Sequence, residues 1–443
     1  MLATSETLVE KHAKYVLTPW VAQKGQKPPV IVRAEGSRLI DADGKEYIDL
    51  SAGLVAVNLG HGHPRLVAAI AEQAQRLCFS PTGWANDIRA ELAERLAELA
   101  GWSEGGRVFF TVGGADATDD AVKMIRMITG RPKVLTAYRS FHGSSTGAAT
   151  LTGENRRWAA EPGLPGVVRF FAPFPYRSPF HTTDPAEETR RALEHVESIL
   201  TYEDPARVGA IMIEPVVGSN GVIVYPDGYL VGLRALCDKH GIALIFDEVM
   251  TGFGRTGAAF GAHRFNVTPD AITFAKGVTS AYVPLGGVIL RESLAKYFDD
   301  HVLWAGHTYS GHTLAVATGL AALDIYRDER VYERAAALES TMRAGLEKLR
   351  AAHHVVGEVR GVGAFFALEL VRDRTTREPV VQWMGPGMGP MATFLASLRK
   401  NGGYAFARYN CVVISPPLVI EPDELERGFA AIDAALGDLE RAL

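Results

Sequence analysis

Residues 243–257 read ALIFDEVMTGFGRTG, and residues 271–287 read AITFAKGVTSAYVPLGG. Each is a short apolar run that stops on charge, at Asp247 in one and Lys276 in the other, and then passes into glycines and small side chains. Runs of the same kind, RVFFTV, KVLTAY, VGAIMIEPV and GGVIL, alternate with helical stretches from about Arg107 to Leu290. Strands apolar on both faces and separated by helices predict an α/β fold, a mostly parallel central sheet flanked by helices. In an open sheet of that kind the ligand lies at the carboxyl ends of the strands. Asp247 and Lys276 both fall there.

Ahead of these runs, RLIDADGKEYIDL reads as a hairpin turning at Ala42-Asp43-Gly44. HPRLVAAIAEQAQRL and DIRAELAERLAELA carry apolar residues at helical spacing. After about Ala315 the helical period returns in VYERAAALESTMRAGLEKLR, followed by VGEVRGVGAFFALELV, the loop MGPGMGP, another helix and CVVISPPLVI. The expectation is a smaller α+β domain built from both chain ends: an N-terminal segment over 1–60 joining it, a large domain over 61–320, and its C-terminal part over 321–443.

The balance of 46 basic against 51 acidic residues, net −5, leaves no basic stripe for nucleic acid and no acidic tail. Hydrophobic residues at 47% and charged residues at 22% are ordinary for a soluble globular chain of this length. Cys78, Cys237 and Cys411 are scattered and odd in number, which fits a reducing cytoplasm better than a disulfide framework. The first twenty residues are too polar for a secretory leader, and no run approaches the roughly 18 apolar residues of a membrane helix. A cytoplasmic protein is expected.

A lysine at a strand end is ordinarily a solvated charge. An aspartate directly after Ile245-Phe246 is harder to solvate, and a buried carboxylate needs a cation. At an effective dielectric near 20 and about 4 Å such a pair gains about 4 kcal/mol, against about 0–1 for a surface pair. A lysine desolvated in the same crevice can be a neutral nucleophile or a Schiff-base former.

IFDEVMTGFGRTG followed by TFAKGVTSAYVPLGG closely resembles the signature of the class III, omega-type aminotransferases, and the resemblance runs in order from about Val32 to Ile420. It implies the type I fold of the enzymes that depend on pyridoxal 5'-phosphate, with Lys276 carrying the cofactor as a Schiff base and Asp247 holding the protonated pyridine nitrogen. FFTVGGADATDDAVKMIR has the form strand, glycine turn, helix start, where free amides bind an anion. The resemblance places the cofactor phosphate there, on Gly114 and Ala115. The usual family form is Ser-Gly-Ser-Glu-Ala. This chain has Gly113-Gly114-Ala115-Asp116-Ala117, a variant similar to the taurine–pyruvate branch, so backbone donors must replace two hydroxyls.

By the same resemblance Phe141, a tyrosine in many relatives, stacks on one face of the ring, Val249 presses on the other, and His142 stands beside them. Glu214, in IMIEP, joins the cofactor set. Thr308, in GHTYSGHTLA, donates its hydroxyl to the phosphate of the neighbouring subunit in a homodimer. Arg408 pairs with the substrate carboxylate, with Glu214 as its resting partner, and Trp84, Val55 and Phe79 line the substrate pocket. The HGHP at residues 61–64 is a poor metal site, and no metal is expected.

The implied reaction is ping-pong transamination from a primary amine or omega-amino acid (taurine, β-alanine, a diamine or an arylalkylamine) to a keto acid such as pyruvate. Pyridoxamine phosphate is the intermediate form of the cofactor. An aminomutase or decarboxylase on the same fold would use the same lysine and aspartate. A dinucleotide oxidoreductase is a poorer fit, because neither VGGADA nor GVGAF satisfies G-x-G-x-x-G after a first strand.

Overall fold

A computed structural model of the chain describes residues 5–443. Seven strands form the central sheet: β1 (Gly106–Thr111), β2 (Lys133–Ala137), β3 (Val167–Phe170), β4 (Val208–Ile213), β5 (Ala243–Asp247), β6 (Ala271–Phe274) and β7 (Gly286–Arg291). Their order across the sheet is β1-β7-β6-β5-β4-β2-β3, and β7 alone is antiparallel to its neighbours β1 and β6. Every residue of β4, β5 and β6 is buried, as near-continuous apolar strands covered on both faces must be. β3 carries no such run. Its VVRF holds Arg169, whose side chain reaches out from this edge strand to carbonyls of Thr150 and Thr152.

Helix α1 (Gly114–Thr129) follows β1 and buries Ala117, Ala121 and Ile125, spaced four apart on one face, against the sheet. The chain ends are knitted together. The antiparallel strands Ile31–Glu35, Arg38–Asp41 and Glu46–Asp49 gain Gly403–Tyr404 as a parallel fourth strand. Beside them Val356–Val362, Phe365–Asp373, Cys411–Ile414 and Phe406–Arg408 form an antiparallel sheet with Glu378–Pro379 on its edge. Tyr404 Oη donates to Gly53 O at 2.9 Å and Phe406 N to Ser51 Oγ at 2.8 Å, so residues near 50 and near 405 share one frame.

Candidate active site

β5 and β6 pair in parallel with Asp247 opposite Thr273, and that register builds the centre of the site. Thr273 Oγ1 donates to Asp247 Oδ1 at 3.1 Å, Val249 N donates to the same oxygen at 3.1 Å, and His142 Nδ1 lies 2.7 Å from Oδ2. An ionised carboxylate only accepts, so this geometry puts the imidazole proton on Nδ1 and leaves Nε2 to meet Thr136 Oγ1 at 3.2 Å. Asp247 and His142 are both buried.

Three residues past Thr273 the chain turns sharply. Lys276, Ser280 and Ala281 all take positive φ, at 46°, 50° and 62°. Non-glycine residues there cost about 1–3 kcal/mol each, and such strain gathers at functional sites. Gly277 has to be glycine, because a Cβ would lie 2.6 Å from Asn58 Nδ2 and 2.8 Å from Phe253 Cβ. The turn brings Lys276 onto a cavity of about 180 Å³ that Asp247, Glu214, Phe141, His142, Val249, Gly114 and Ala115 also line.

Burial pulls the Lys276 amine down to about 8, with Arg156 and Arg255 pushing the same way and Asp247 and Glu214 opposing. At pH 7.5 such an amine is neutral about a quarter of the time, against about one part in a thousand at its ordinary value. Glu214 follows β4 and is buried. Its Oε1 accepts from Phe141 N at 2.9 Å and its Oε2 from Gly218 N at 2.8 Å. Desolvation pushes its carboxyl up to about 7, and nearby Asp247 adds to the rise.

The opposite wall is the start of α1. Gly113 brings no capping side chain, so the first amides of this 16-residue helix are open toward the cavity. A Cβ on Gly114 would fall 2.9 Å from Val249 Cγ1, so helix and valine approach as closely as glycine allows. Phe141 is half-buried, with the Arg156 guanidinium carbon 3.6 Å from its ring centre and Trp20 edge-on at 6.2 Å. One cavity therefore offers uncapped amides for a phosphate, a carboxylate for a cationic ring nitrogen, an amine for an aldehyde and two apolar walls. That donor set fits pyridoxal phosphate.

Several expected residues lie elsewhere in this chain. Thr308 is exposed, on a segment that His307 fastens to Asp120 of α1 through a 2.6 Å contact. Phe79 is partly exposed and packs on Tyr309 and His312, while Trp84 is exposed on a loop whose carbonyls Arg89 gathers. Val55 is buried in a small apolar cluster with Val216, Val362 and Phe365. Arg408 corrects one expectation: its partner is Glu154, at 2.7 Å, not Glu214, which is occupied by two backbone amides. His61 and His63 each meet a carboxylate, Asp49 at 3.0 Å and Glu329 at 3.2 Å, which the local sequence does not reveal.

Sequence reading missed Thr273, Glu154, Arg156 and Arg255. Arg255 is fully buried and donates to Ala364 O, Pro416 O and Asn58 Oδ1 at 3.0, 2.7 and 2.7 Å. Only the place of Thr273 in the apolar run that leads to Lys276 carried a usable signal; its pairing opposite Asp247 is set by the register of β5 and β6.

Comparison with known proteins agrees with this geometry. The family described as "Aminotransferase class-III" matches residues 21–436. A taurine–pyruvate aminotransferase of Bilophila wadsworthia is 32% identical over 98% of both chains. The structure of a taurine:2-oxoglutarate aminotransferase from Bifidobacterium kashiwanohense, in complex with PLP and glutamate, superposes with a TM-score of 0.96 at 42% identity over 100% of both chains. A thermostable (S)-enantioselective omega-transaminase from Thermomicrobium roseum gives 0.94 at 37% identity, covering 99% of this chain and 100% of its own.

Proposed function

The chain belongs to the class-III aminotransferase family, and on that footing we propose that it moves an amino group from an omega-amino acid or other primary amine to a keto acid, pyruvate first among the candidates. The cofactor is pyridoxal 5'-phosphate, which when bound supplies an electron sink for the bond to the amine-bearing carbon. Lys276 would hold its aldehyde, Asp247 its ring nitrogen, the amides of Gly114 and Ala115 its phosphate, and Phe141 and Val249 the faces of its ring.

Among the chain's own groups, Lys276 Nζ is the proton carrier. With its amine near 8 it is neutral often enough to take the proton from the amine-bearing carbon of the donor. In the second half-reaction the same nitrogen returns a proton to the corresponding carbon of the acceptor. Asp247 is held in orientation by His142, Thr273 and Val249, and a carboxylate so placed stabilises a cationic nitrogen most strongly in a water-poor cavity. Arg408 is the residue for the acceptor's carboxylate. Trp84, Phe79 and Val55 are assigned to the substrate side, and Thr308 to the phosphate of the second subunit in a homodimer. Supporting an anionic donor or acceptor are the relatives named for taurine with pyruvate or 2-oxoglutarate. Among the described residues no helix is long and apolar enough to cross a membrane. With three free cysteines, we assign the reaction to the cytoplasm.

The observation that carries this reading is the shared cavity of Lys276 and Asp247 beneath the uncapped start of α1. The test is spectroscopic. Purified protein should absorb in the visible, lose that band on adding the donor amine and regain it with pyruvate. A screen of taurine, β-alanine, diamines and arylalkylamines against pyruvate and 2-oxoglutarate identifies the pair. Borohydride reduction that leaves the Lys276 peptide unmodified would refute the assignment, and turnover without a stoichiometric keto acid would indicate an aminomutase or decarboxylase instead.

A further inference from the structure

Residues 154–156 supply a buried carboxylate between two arginines at the edge of the site. Glu154 is fully buried, and its Oε1 accepts from Arg156 Nε while its Oε2 accepts from Arg408 Nη2 at 2.7 Å. Asn155 Oδ1 accepts from the same Nη2 at 2.8 Å and from Tyr409 Oη at 2.7 Å, and Tyr409 Oη stands 3.2 Å from Nη2. Arg156 Nη2 is held in turn by Ser219 Oγ at 2.8 Å. A buried carboxylate is tolerated only when paired, and here one anion serves two cations, so the cluster keeps one uncompensated positive charge.

Among the described residues every side-chain hydrogen bond of Arg408 to protein uses Nη2, and its Nε is buried without a partner. A guanidinium anchored at one corner, with other donors unspent, is preset for a second oxyanion.

We propose that Glu154 is the positioning residue of the substrate-anion site: it anchors Arg408 through Nη2 and braces it against Arg156, so that Arg408 meets an incoming carboxylate or sulfonate with its remaining donors free. This rests on the reading that Arg408 binds the acceptor's carboxylate. Glu154 touches neither substrate nor cofactor and acts through Arg408. It also explains why Glu214 is not needed as the arginine's counter-ion and remains on the amides of Phe141 and Gly218.

The test uses the holoenzyme and separates charged from uncharged substrates. Glu154→Gln keeps the shape and removes the charge. The expected result is a rise of about tenfold in KM for pyruvate and for an anionic donor such as β-alanine, with kcat and the KM for 1-phenylethylamine changed by no more than about twofold. Glu154→Asp should recover part of the loss. Equal changes for charged and uncharged substrates, or an unchanged pyruvate KM, overturn the proposal. Should Glu154→Gln fail to fold, Asn155→Ala must show the same split at about threefold, and its absence overturns the proposal equally. Arg408→Ala runs alongside. If it raises the pyruvate KM while Glu154→Gln does not, only the role of Glu154 falls; if it leaves that KM unchanged, the assignment of Arg408 falls and the proposal with it.

Discussion

Replacing Lys276 by methionine should destroy transamination and make the cofactor-free protein more stable. The amine is held in the folded chain at about 8 against an ordinary value of 10.5, because the cavity desolvates its charge more than Asp247 and Glu214 restore. Across that gap, at 1.36 kcal/mol per pH unit, folding pays about 3 kcal/mol to keep Lys276 protonated at neutral pH. Methionine has a similar unbranched length and no charge. It inherits the same positive φ, so the backbone strain at position 276 is common to both proteins and cancels. The sign with pH follows from the depressed value. Well below 8 the amine is protonated in both folded and unfolded chains and the penalty is complete. As pH climbs from about 8 toward 10.5 the folded chain releases its proton first, the wild type gains stability and the advantage of the variant shrinks. Urea unfolding of the two proteins, stripped of cofactor and compared at pH 7, 8.5 and 10.5, measures it. Equal stability at pH 7, or an advantage that persists unchanged at pH 10.5, would refute the claim that this lysine is electrostatically costly.

Thr273→Val removes the hydroxyl that donates to Asp247 Oδ1, and losing one hydrogen bond to a buried charge, about 1.5–3 kcal/mol, should lower kcat about tenfold or more with little change in KM. Gly114→Ala places a methyl against Val249 and should weaken cofactor affinity about tenfold, by overpacking worth about 1–3 kcal/mol; Val249→Ala in the same chain should restore part of it, as equilibrium dialysis would record. Glu214 has its carboxyl raised to about 7 from 4.5, so the folded chain holds the extra proton between those values and stability falls as pH rises through that window. Glu214→Gln should flatten that slope by up to about 3 kcal/mol in pH-resolved denaturation, and an unchanged slope would count against it.

What the sequence determined by itself was local. The apolar runs that end at Asp247 and Lys276, the glycine turn before α1 and the helical periods are patterns among neighbours, and the physics behind them, burial on both strand faces and open amides at a helix start, acts over a few residues. Those patterns sufficed for the α/β architecture and for the aspartate and lysine of one crevice. β3 escaped because an edge strand with Arg169 need not be apolar throughout, and β7 runs antiparallel to β6 because the chain returns from Phe274 to Gly286 with no α-helical crossover between them. Tertiary structure alone decided the partners of the charged groups. His142 and Asp247 are 105 positions apart, and Arg408 and Glu154 are 254 apart. The desolvation that forces such pairs together is a property of the finished interior, with no counterpart in the residues beside them. For that reason Arg408 stood out in the sequence only as a cation in the C-terminal segment, while Glu154, the carboxylate that holds it, did not stand out at all.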